Sequence, residues 1–204
     1  MKKEGDRIVQ RGYSKIARKY HQQRAVYENK LLLTKIMNNV PKGARVLDLG
    51  CGAGKPVAKT LADSGYKVTG IDFAAGMVKL AKKQVPNAKF VKMDMTHLKF
   101  KDNSFDAAVS FYAIIHVPRE KHAKVYKQLH RIVKPDGILF VNCSGPDAWE
   151  SYEKNYMGVP MFWSFYAPQK TLSIIKKAGF KILWSKVLAI GGEKQYWVLA
   201  KNKK

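Results

Sequence analysis

Residues 46–54, Val-Leu-Asp-Leu-Gly-Cys-Gly-Ala-Gly, run an apolar strand into an acid and then set three glycines on alternate positions. Glycine lets a backbone turn sharply and approach a ligand with no Cβ in the way. The segment beginning at Lys55-Pro56 reads as a helix whose free N–H groups face the same loop. The stretch therefore predicts the strand–loop–helix of a nucleotide-type ligand site, with Asp48 where the loop begins. Gly50, Gly52 and Gly54 follow Gly-x-Gly-x-Gly, which is not the Gly-x-Gly-x-x-Gly of a dinucleotide fold. A phosphate-binding loop fails as well, since Leu49 is not glycine and Pro56 stands in place of the metal-binding hydroxyl.

The next two strands extend the pattern. Lys67 to Ile71 is a short β-type run ending at Asp72, at the distance where a strand-end acid meets ribose hydroxyls, and Ala88 to Met93 ends at Asp94. Three successive strands finishing in aspartate put Asp48, Asp72 and Asp94 along one edge of a parallel sheet, where open α/β folds bind their ligands. Acids number only 15 against 38 Lys and Arg, so three at one edge ask for a ligand rich in donors or positive charge. A polyphosphate fits that edge poorly.

Further along, strands are expected at 106–111 and 137–143, and helices at 55–64, 75–84, 119–133 and 168–178. Two closing strands fall near 181–189 and 194–201. Breaks sit at Pro86, Pro135-Asp136-Gly137 and Gly179, as helix stops should. Alternating strands and helices imply a mostly parallel sheet with helices on both faces. The last two strands lie too close together for a crossover, so they are expected to form an antiparallel hairpin.

With these pieces in place the chain resembles the class I S-adenosylmethionine-dependent methyltransferases, in their small single-domain form acting on diffusible substrates. The resemblance rests on 46–54, on Gly-Ile-Asp-Phe-Ala-Ala-Gly-Met at 70–77, on Met-Asp-Met at 93–95, on Asn-Ser-Phe-Asp-Ala-Ala-Val-Ser at 103–110 and on Leu-His-Arg-Ile-Val-Lys-Pro-Asp-Gly-Ile-Leu at 129–139. It implies a Rossmann-like, doubly wound, mostly parallel seven-stranded α/β sheet with an antiparallel C-terminal hairpin. It also implies S-adenosyl-L-methionine as the cofactor. Asp48 and the Gly50–Gly54 loop, Cys51 included, would hold its methionine end, Asp72 the ribose hydroxyls and Asp94 the adenine amino group. Phe73, Met77 and Met95 would flank the purine, with Ser110 and Tyr20 as further donor contacts. This agrees with the chemistry of the acids, because the donor carries an ammonium and a sulfonium beside one carboxylate and no phosphate.

One domain is expected from 204 residues, and a 46% hydrophobic content suffices for a core. Within it, 1–44 reads as an N-terminal helical cap, 45–145 as the donor-binding core, 146–168 as an aromatic lid and 169–204 as the C-terminal helix and hairpin. No apolar run approaches a bilayer span, which gives a cytoplasmic expectation without a membrane partner. Cys51 and Cys143 make neither a metal spacing nor a disulfide framework, and His21, His97, His116, His122 and His130 show no paired ligand pattern, so no metal is expected. The sequence leaves oligomeric state open.

The acceptor side rests on fewer signals. Ser110 to Pro118 lacks the Asn/Asp-Pro-Pro-aromatic motif of amino-methylating enzymes that act on bases. In its place His116 is a candidate proton acceptor and Tyr112 a candidate pocket residue. The bland alternatives are a histidine bonded to backbone at a helix start and a tyrosine packed beneath the site. Pro146 to Pro168 holds Trp149, Tyr152, Tyr156, Phe162, Trp163, Phe165 and Tyr166 with Met157 and Met161, a composition suited to a lid over an apolar or aromatic acceptor. Trp149, Trp163 and Tyr166 are the acceptor contacts expected from it, together with Tyr13 from the N-terminal stretch. The competing expectation is that these rings only cover the core.

A net charge of +23 supports a rival partner, nucleic acid, attracted through counterion release. The first 45 residues carry Lys2, Lys3, Arg7, Arg11, Lys15, Arg18, Lys19, Arg24, Lys30, Lys35, Lys42 and Arg45 against Glu4, Asp6 and Glu28. Lysines are scattered over every other helix too, and no separate nucleic-acid module is visible, so a small-molecule acceptor is preferred. Phe140-Val141-Asn142-Cys143-Ser144 is faintly similar to the strand-end cysteine of cytosine-C5 RNA methyltransferases, but their companion Pro-Cys motif is missing and a small buried cysteine is the better reading. A protein acceptor drawn by the same charge, a donor-binding module without catalysis, and an aminopropyltransferase on the same fold remain alternatives that fold alone does not separate.

Overall fold

A computed structural model describes residues 2–24, 30–190 and 193–204. Parts of the expected N-terminal cap (1 and 25–29, including Glu28) and the turn of the closing hairpin (191–192) lie outside the described residues. The chain order is α1 (Lys2–Arg24), α2 (Lys30–Met37), β1 (Arg45–Leu49), α3 (Val57–Asp63), β2 (Lys67–Asp72), α4 (Ala75–Gln84), β3 (Lys89–Lys92) and β4 (Phe105–Ser110). Two short 3₁₀ turns, Ile114–His116 and Arg119–Lys121, lead into α5 (His122–Ile132), β5 (Val133–Ser144), β6 (Trp149–Tyr156), β7 (Val159–Phe165), α6 (Pro168–Lys177), β8 (Phe180–Ile190) and β9 (Glu193–Asn202).

Seven strands form one sheet in the order β3-β2-β1-β4-β5-β9-β8. The pairs among β1 to β5 are parallel, and β9 runs antiparallel between β5 and β8. The strand order reverses on either side of β1, which makes the carboxyl end of β1 the switch point where such sheets bind ligands. This is the Rossmann-like, doubly wound fold expected from the sequence.

Side-chain alternation explains why helices cover both faces. Val46, Ala107, Val109, Ile138, Phe140, Trp197 and Leu199 point into one core layer with Leu32, Leu33, Ile36 and Leu61 of α2 and α3. Their strand neighbours Leu47, Leu49, Ala108, Leu139, Val141, Val198 and Ala200 point into the other, with Val125, Leu129 and Ile132 of α5 and Ile175 of α6. The central strands are apolar on both sides, as a sheet sandwiched between helices requires, while the edge strands β3 and β8 are largely exposed. Each fully buried Leu, Ile or Phe here contributes about 1.5–3 kcal/mol relative to exposure.

Several boundaries differ from the sequence expectation. Helix α3 begins only at Val57, after Pro56, and the helix expected over 119–133 opens as a 3₁₀ turn because Pro118 constrains its start. Strand β5 starts at Val133, four residues before the expected point, and carries Pro135-Asp136-Gly137 inside it, where Asp136 adopts φ +59 and the ladder to β4 shifts register. The helix does stop just before that tripeptide, at Ile132, and the tripeptide itself forms a bulge within the strand that follows. The segment read as an aromatic lid is a separate two-stranded antiparallel sheet, β6-β7. It packs on α1 through a third apolar cluster in which Val9, Tyr13, Ile16 and Ala17 meet Met77, Val159 and Met161. Among the described residues no helix is long and apolar enough to cross a membrane.

Candidate functional site

The loop after β1 is held by the strand beside it. The N–H groups of Gly50 and Cys51 both donate to the carbonyl of Ile71, at 2.8 and 3.0 Å. Gly50 sits at φ +68, and a Cβ there would fall 2.1 Å from the Cβ of Ala113, so only glycine fits between β1 and the segment after β4. The loop therefore closes tightly over the end of the sheet and leaves a cavity beside it.

Four strand ends and one helix wall that cavity. Asp48, Gly50, Cys51 and Gly52 come from β1 and its loop, Asp72 and Phe73 from β2, Met77 from α4, and Met93 to Thr96 from beyond β3. Phe111, Tyr112, Ala113, His116 and Val117 follow β4, and Val9, Tyr13, Tyr20 and His21 of α1 form the roof. Most of the residues expected at the donor and acceptor positions thus meet in one place.

The two inner acids are electrostatically coupled. Asp48 is buried, its Oδ2 has no hydrogen-bond partner among the described residues, and burial together with the nearby Asp72 pushes its carboxyl up to about 8. Asp72 accepts the Gly52 N–H on Oδ2 at 3.0 Å and the Ala74 N–H on Oδ1 at 2.9 Å. Burial nevertheless outweighs those bonds and raises it to about 6. A ligand bringing positive charge between them would relieve both. Asp94, half exposed, accepts the Thr96 N–H on Oδ1 at 2.7 Å, which turns the chain after β3 along the cavity wall.

His116 joins three elements. Its Nδ1 lies 2.8 Å from the carbonyl oxygen of Phe162 in β7, and its Nε2 lies 2.8 Å from the Tyr13 hydroxyl of α1. A carbonyl can only accept, so in the neutral ring Nδ1 carries the proton and Nε2 accepts from Tyr13. His116 thus bonds backbone on one side, as the bland alternative expects, and lines the cavity on the other. Tyr112 lines the cavity at φ +57 and also packs edge-on against Trp197 at 5.8 Å.

Other candidates stand elsewhere. Ser110 does not reach the cavity wall, because its hydroxyl is buried and donates to the Leu49 carbonyl at 3.0 Å, tying β4 to β1. Gly54, at φ +84, turns the loop away and faces Val85 and Phe90. None of the three lid aromatics lines the cavity. Trp149 is 57% exposed at the hairpin end, Tyr166 stands against His122 and the Arg119 guanidinium, and Trp163 lies behind the His116 ring with centroids 5.6 Å apart. The hairpin packs on α1 and meets the cavity wall at His116, whose Nδ1 lies against the Phe162 carbonyl.

The sequence reading missed Val9, Gln10, His21, Lys55 and Thr96. Gln10 Nε2 donates to the Phe73 carbonyl at 2.8 Å and fixes the roof to the end of β2, while Lys55 lines the wall directly after the glycine loop. Burial and the Lys55 charge hold His21 below the usual histidine value. The helical spacing of Val9, Tyr13, Ile16, Ala17 and Tyr20 was the available signal for α1's inner face.

The roof is seated by a close approach at Gly76, where a Cβ would lie 2.8 Å from the Ser14 carbonyl oxygen. Gly76→Ala should favour α4 itself by roughly 0.5–1 kcal/mol of helix propensity. It should nonetheless loosen α1, and limited trypsin digestion should cut at Lys15 or Arg18 several-fold faster than in the wild type. Unchanged cleavage would mean that α1 does not depend on that contact.

A methyltransferase-domain family profile matches residues 46–137. The demethylmenaquinone methyltransferase of Paenarthrobacter aurescens is 36% identical over 103 residues, half of this chain and 40% of that protein. The 2-methyl-6-phytyl-1,4-hydroquinone methyltransferase of Synechocystis is 41% identical over 108 residues, 52% of this chain and 33% of that one. The chain thus spans less than half the length of these two curated relatives. Among solved structures, the Burkholderia thailandensis 1,6-didemethyltoxoflavin-N1-methyltransferase, with its substrate and S-adenosylhomocysteine bound, superposes with a TM-score of 0.78 over 100% of this chain and 91% of its own. At 17% identity that likeness is one of fold.

Proposed function

Because the chain carries the sequence signature and the fold of the class I S-adenosylmethionine-dependent methyltransferases, we propose that it moves a methyl group from S-adenosylmethionine to a small, apolar or aromatic molecule. The observation that carries the reading is the buried, unpartnered Asp48 Oδ2 beside Asp72, in a cavity whose opposite wall holds apolar rings. The residues fit the donor. Asp48 and the Gly50–Gly52 backbone take its ammonium end and Asp72 the ribose hydroxyls. Asp94 takes the adenine amino group, with Phe73, Met77 and Met95 against the purine. Lys55, which lines the same wall, would pair with the donor's carboxylate, with His21 beside it. The bound donor supplies a methyl group on a sulfonium, whose departure needs no acid.

The chain's own work is to align the acceptor in line with that methyl group and keep water out under α1. His116 receives a proton where the acceptor has one to lose. The quinone-ring and toxoflavin acceptors named for its relatives support a small aromatic molecule as acceptor. A single methyltransferase domain and a cytoplasmic location, suited to the two free thiols Cys51 and Cys143, belong to the same proposal.

Isothermal titration with S-adenosylmethionine and S-adenosylhomocysteine tests it. Both should bind, and Asp72→Ala should weaken them by roughly 1.5–3 kcal/mol through lost charged hydrogen bonds. Heat with NAD or ATP and none with either adenosyl compound would overturn the donor assignment. One observation favours RNA as a second reading of the acceptor. Arg7, Arg11, Lys15, Arg18 and Lys19 form an exposed cationic face on the roof helix. Steep loss of methyl transfer to RNA with rising salt would favour it.

A further inference from the structure

Tyr13 is placed where a simple lining residue would not need to be. Its hydroxyl is 2.8 Å from His116 Nε2, its ring meets the imidazole edge-on with centroids 5.2 Å apart, and both side chains line the cavity while only 8% exposed. The Phe162 carbonyl holds the other ring nitrogen as N–H, so Nε2 is the accepting nitrogen, and the Tyr13 hydroxyl donates to it. We propose that Tyr13 is the group that meets the acceptor's proton, with His116 as the base behind it, and that the acceptor is an aromatic hydroxyl. This rests on the methyltransferase reading above.

The step balances without any further reactant. The acceptor's O–H bond breaks as its oxygen forms a bond to the methyl carbon. The S–CH₃ bond breaks with its electron pair passing to sulfur. The acceptor's proton goes to the Tyr13 oxygen, and the Tyr13 proton passes to His116 Nε2, which leaves a tyrosine and an imidazolium that loses its proton to solvent after release. The proton affinities suit an aromatic hydroxyl. Its O–H is of the same kind as that of Tyr13, so exchange between them is nearly level, and the methyl transfer itself draws the second proton onto the imidazole. An aliphatic alcohol is far too weak an acid for this relay, and a tertiary amine or thioether has no proton for it to take.

The relay also exists only with the roof in place. Tyr13 comes from α1, His116 from the turn after β4 and the Phe162 carbonyl from β7, so the base is complete only when all three elements are docked. Chemistry is thereby confined to the state in which the roof covers the cavity.

Labelled S-adenosylmethionine with 2-naphthol, 1,4-naphthohydroquinone and pentafluorophenol tests the proposal in wild type, Tyr13→Phe and His116→Asn, with donor binding titrated alongside. For 2-naphthol, kcat should fall about 10²–10³-fold in both variants, the range expected for general-base catalysis, with donor affinity changed less than about threefold. Pentafluorophenol is already ionised at neutral pH and needs no base, so on it both variants should approach wild-type turnover. A merely structural role would lower turnover on both probes equally or act through KM, and either result overturns the relay. Donor binding without transfer to any of the three hydroxyl probes overturns the acceptor class, whereas absence of donor binding in the wild type overturns the underlying function.

Discussion

Asp48→Asn should make the unliganded protein more stable at pH 8 and at the same time a much poorer binder of S-adenosylmethionine. The Asp48 carboxyl is raised to about 8 by burial first and by Asp72 second, from an ordinary value near 4. A group whose folded value is raised contributes stability that is fully present below its unfolded value and lost as pH rises through the folded one. The wild type should therefore lose stability between about pH 4 and 8, by several kcal/mol from this group alone. The neutral amide carries no such loss. At about 2–4 °C per kcal/mol for a chain of this size, the variant should melt several degrees higher at pH 8, with the gap closing toward pH 5. Donor affinity should move the other way, by roughly 10²-fold, since a charged acceptor for the ammonium is gone. In the wild type, donor binding at pH 7 should release a proton, visible as a buffer-dependent enthalpy. A variant that binds the donor as the wild type does, or melts lower at pH 8, would remove Asp48 from the donor site.

Gly50→Ala should be the most damaging single-methyl change in the chain. The added Cβ would stand 2.1 Å from that of Ala113, and the backbone at φ +68 is one that alanine adopts only at a cost of about 1–2 kcal/mol. The two penalties together place it in the range above roughly 4 kcal/mol, with donor binding abolished. Gly52→Ala is the control. Its φ is +52 but its Cβ would meet nothing within 4 Å, so only the backbone cost of about 1–2 kcal/mol applies. Thermal melting of the two variants side by side reads the difference, and equal losses would show that the packing against Ala113 is unimportant.

What was legible in the sequence follows from how local each signal is. The strand–glycine loop and the strand-end acids are contiguous patterns set by short-range geometry, and Asp48, Asp72 and Asp94 do gather at one sheet edge. Short, near-continuous apolar runs bounded by acids and glycines marked the strands. The Asp136 bulge was hidden because Pro-Asp-Gly has the same composition whether it ends a helix or kinks a strand. The lid aromatics misled for a different reason. Composition reports that rings will be buried or gathered, but not which layer they occupy, and here α1 takes the layer next to the cavity while Trp163 backs the imidazole. The Tyr13–His116 contact spans 103 residues. No spacing rule reaches that far, because such a pair is made by tertiary packing alone.

The two backbone bonds received by Asp72 have a consequence for how this chain can change over evolutionary time. The carboxylate proposed for the ribose hydroxyls also clasps the glycine loop through Gly52 and the start of α4 through Ala74. Asparagine would turn an N–H toward one of those donors, and glutamate would carry its oxygens a methylene too far to meet both. Affinity for the donor and the shape of the loop are thus written into a single position. Drift in one is vetoed by the other, and novelty in such a chain is confined to the roof and the hairpin, which leave that clasp untouched.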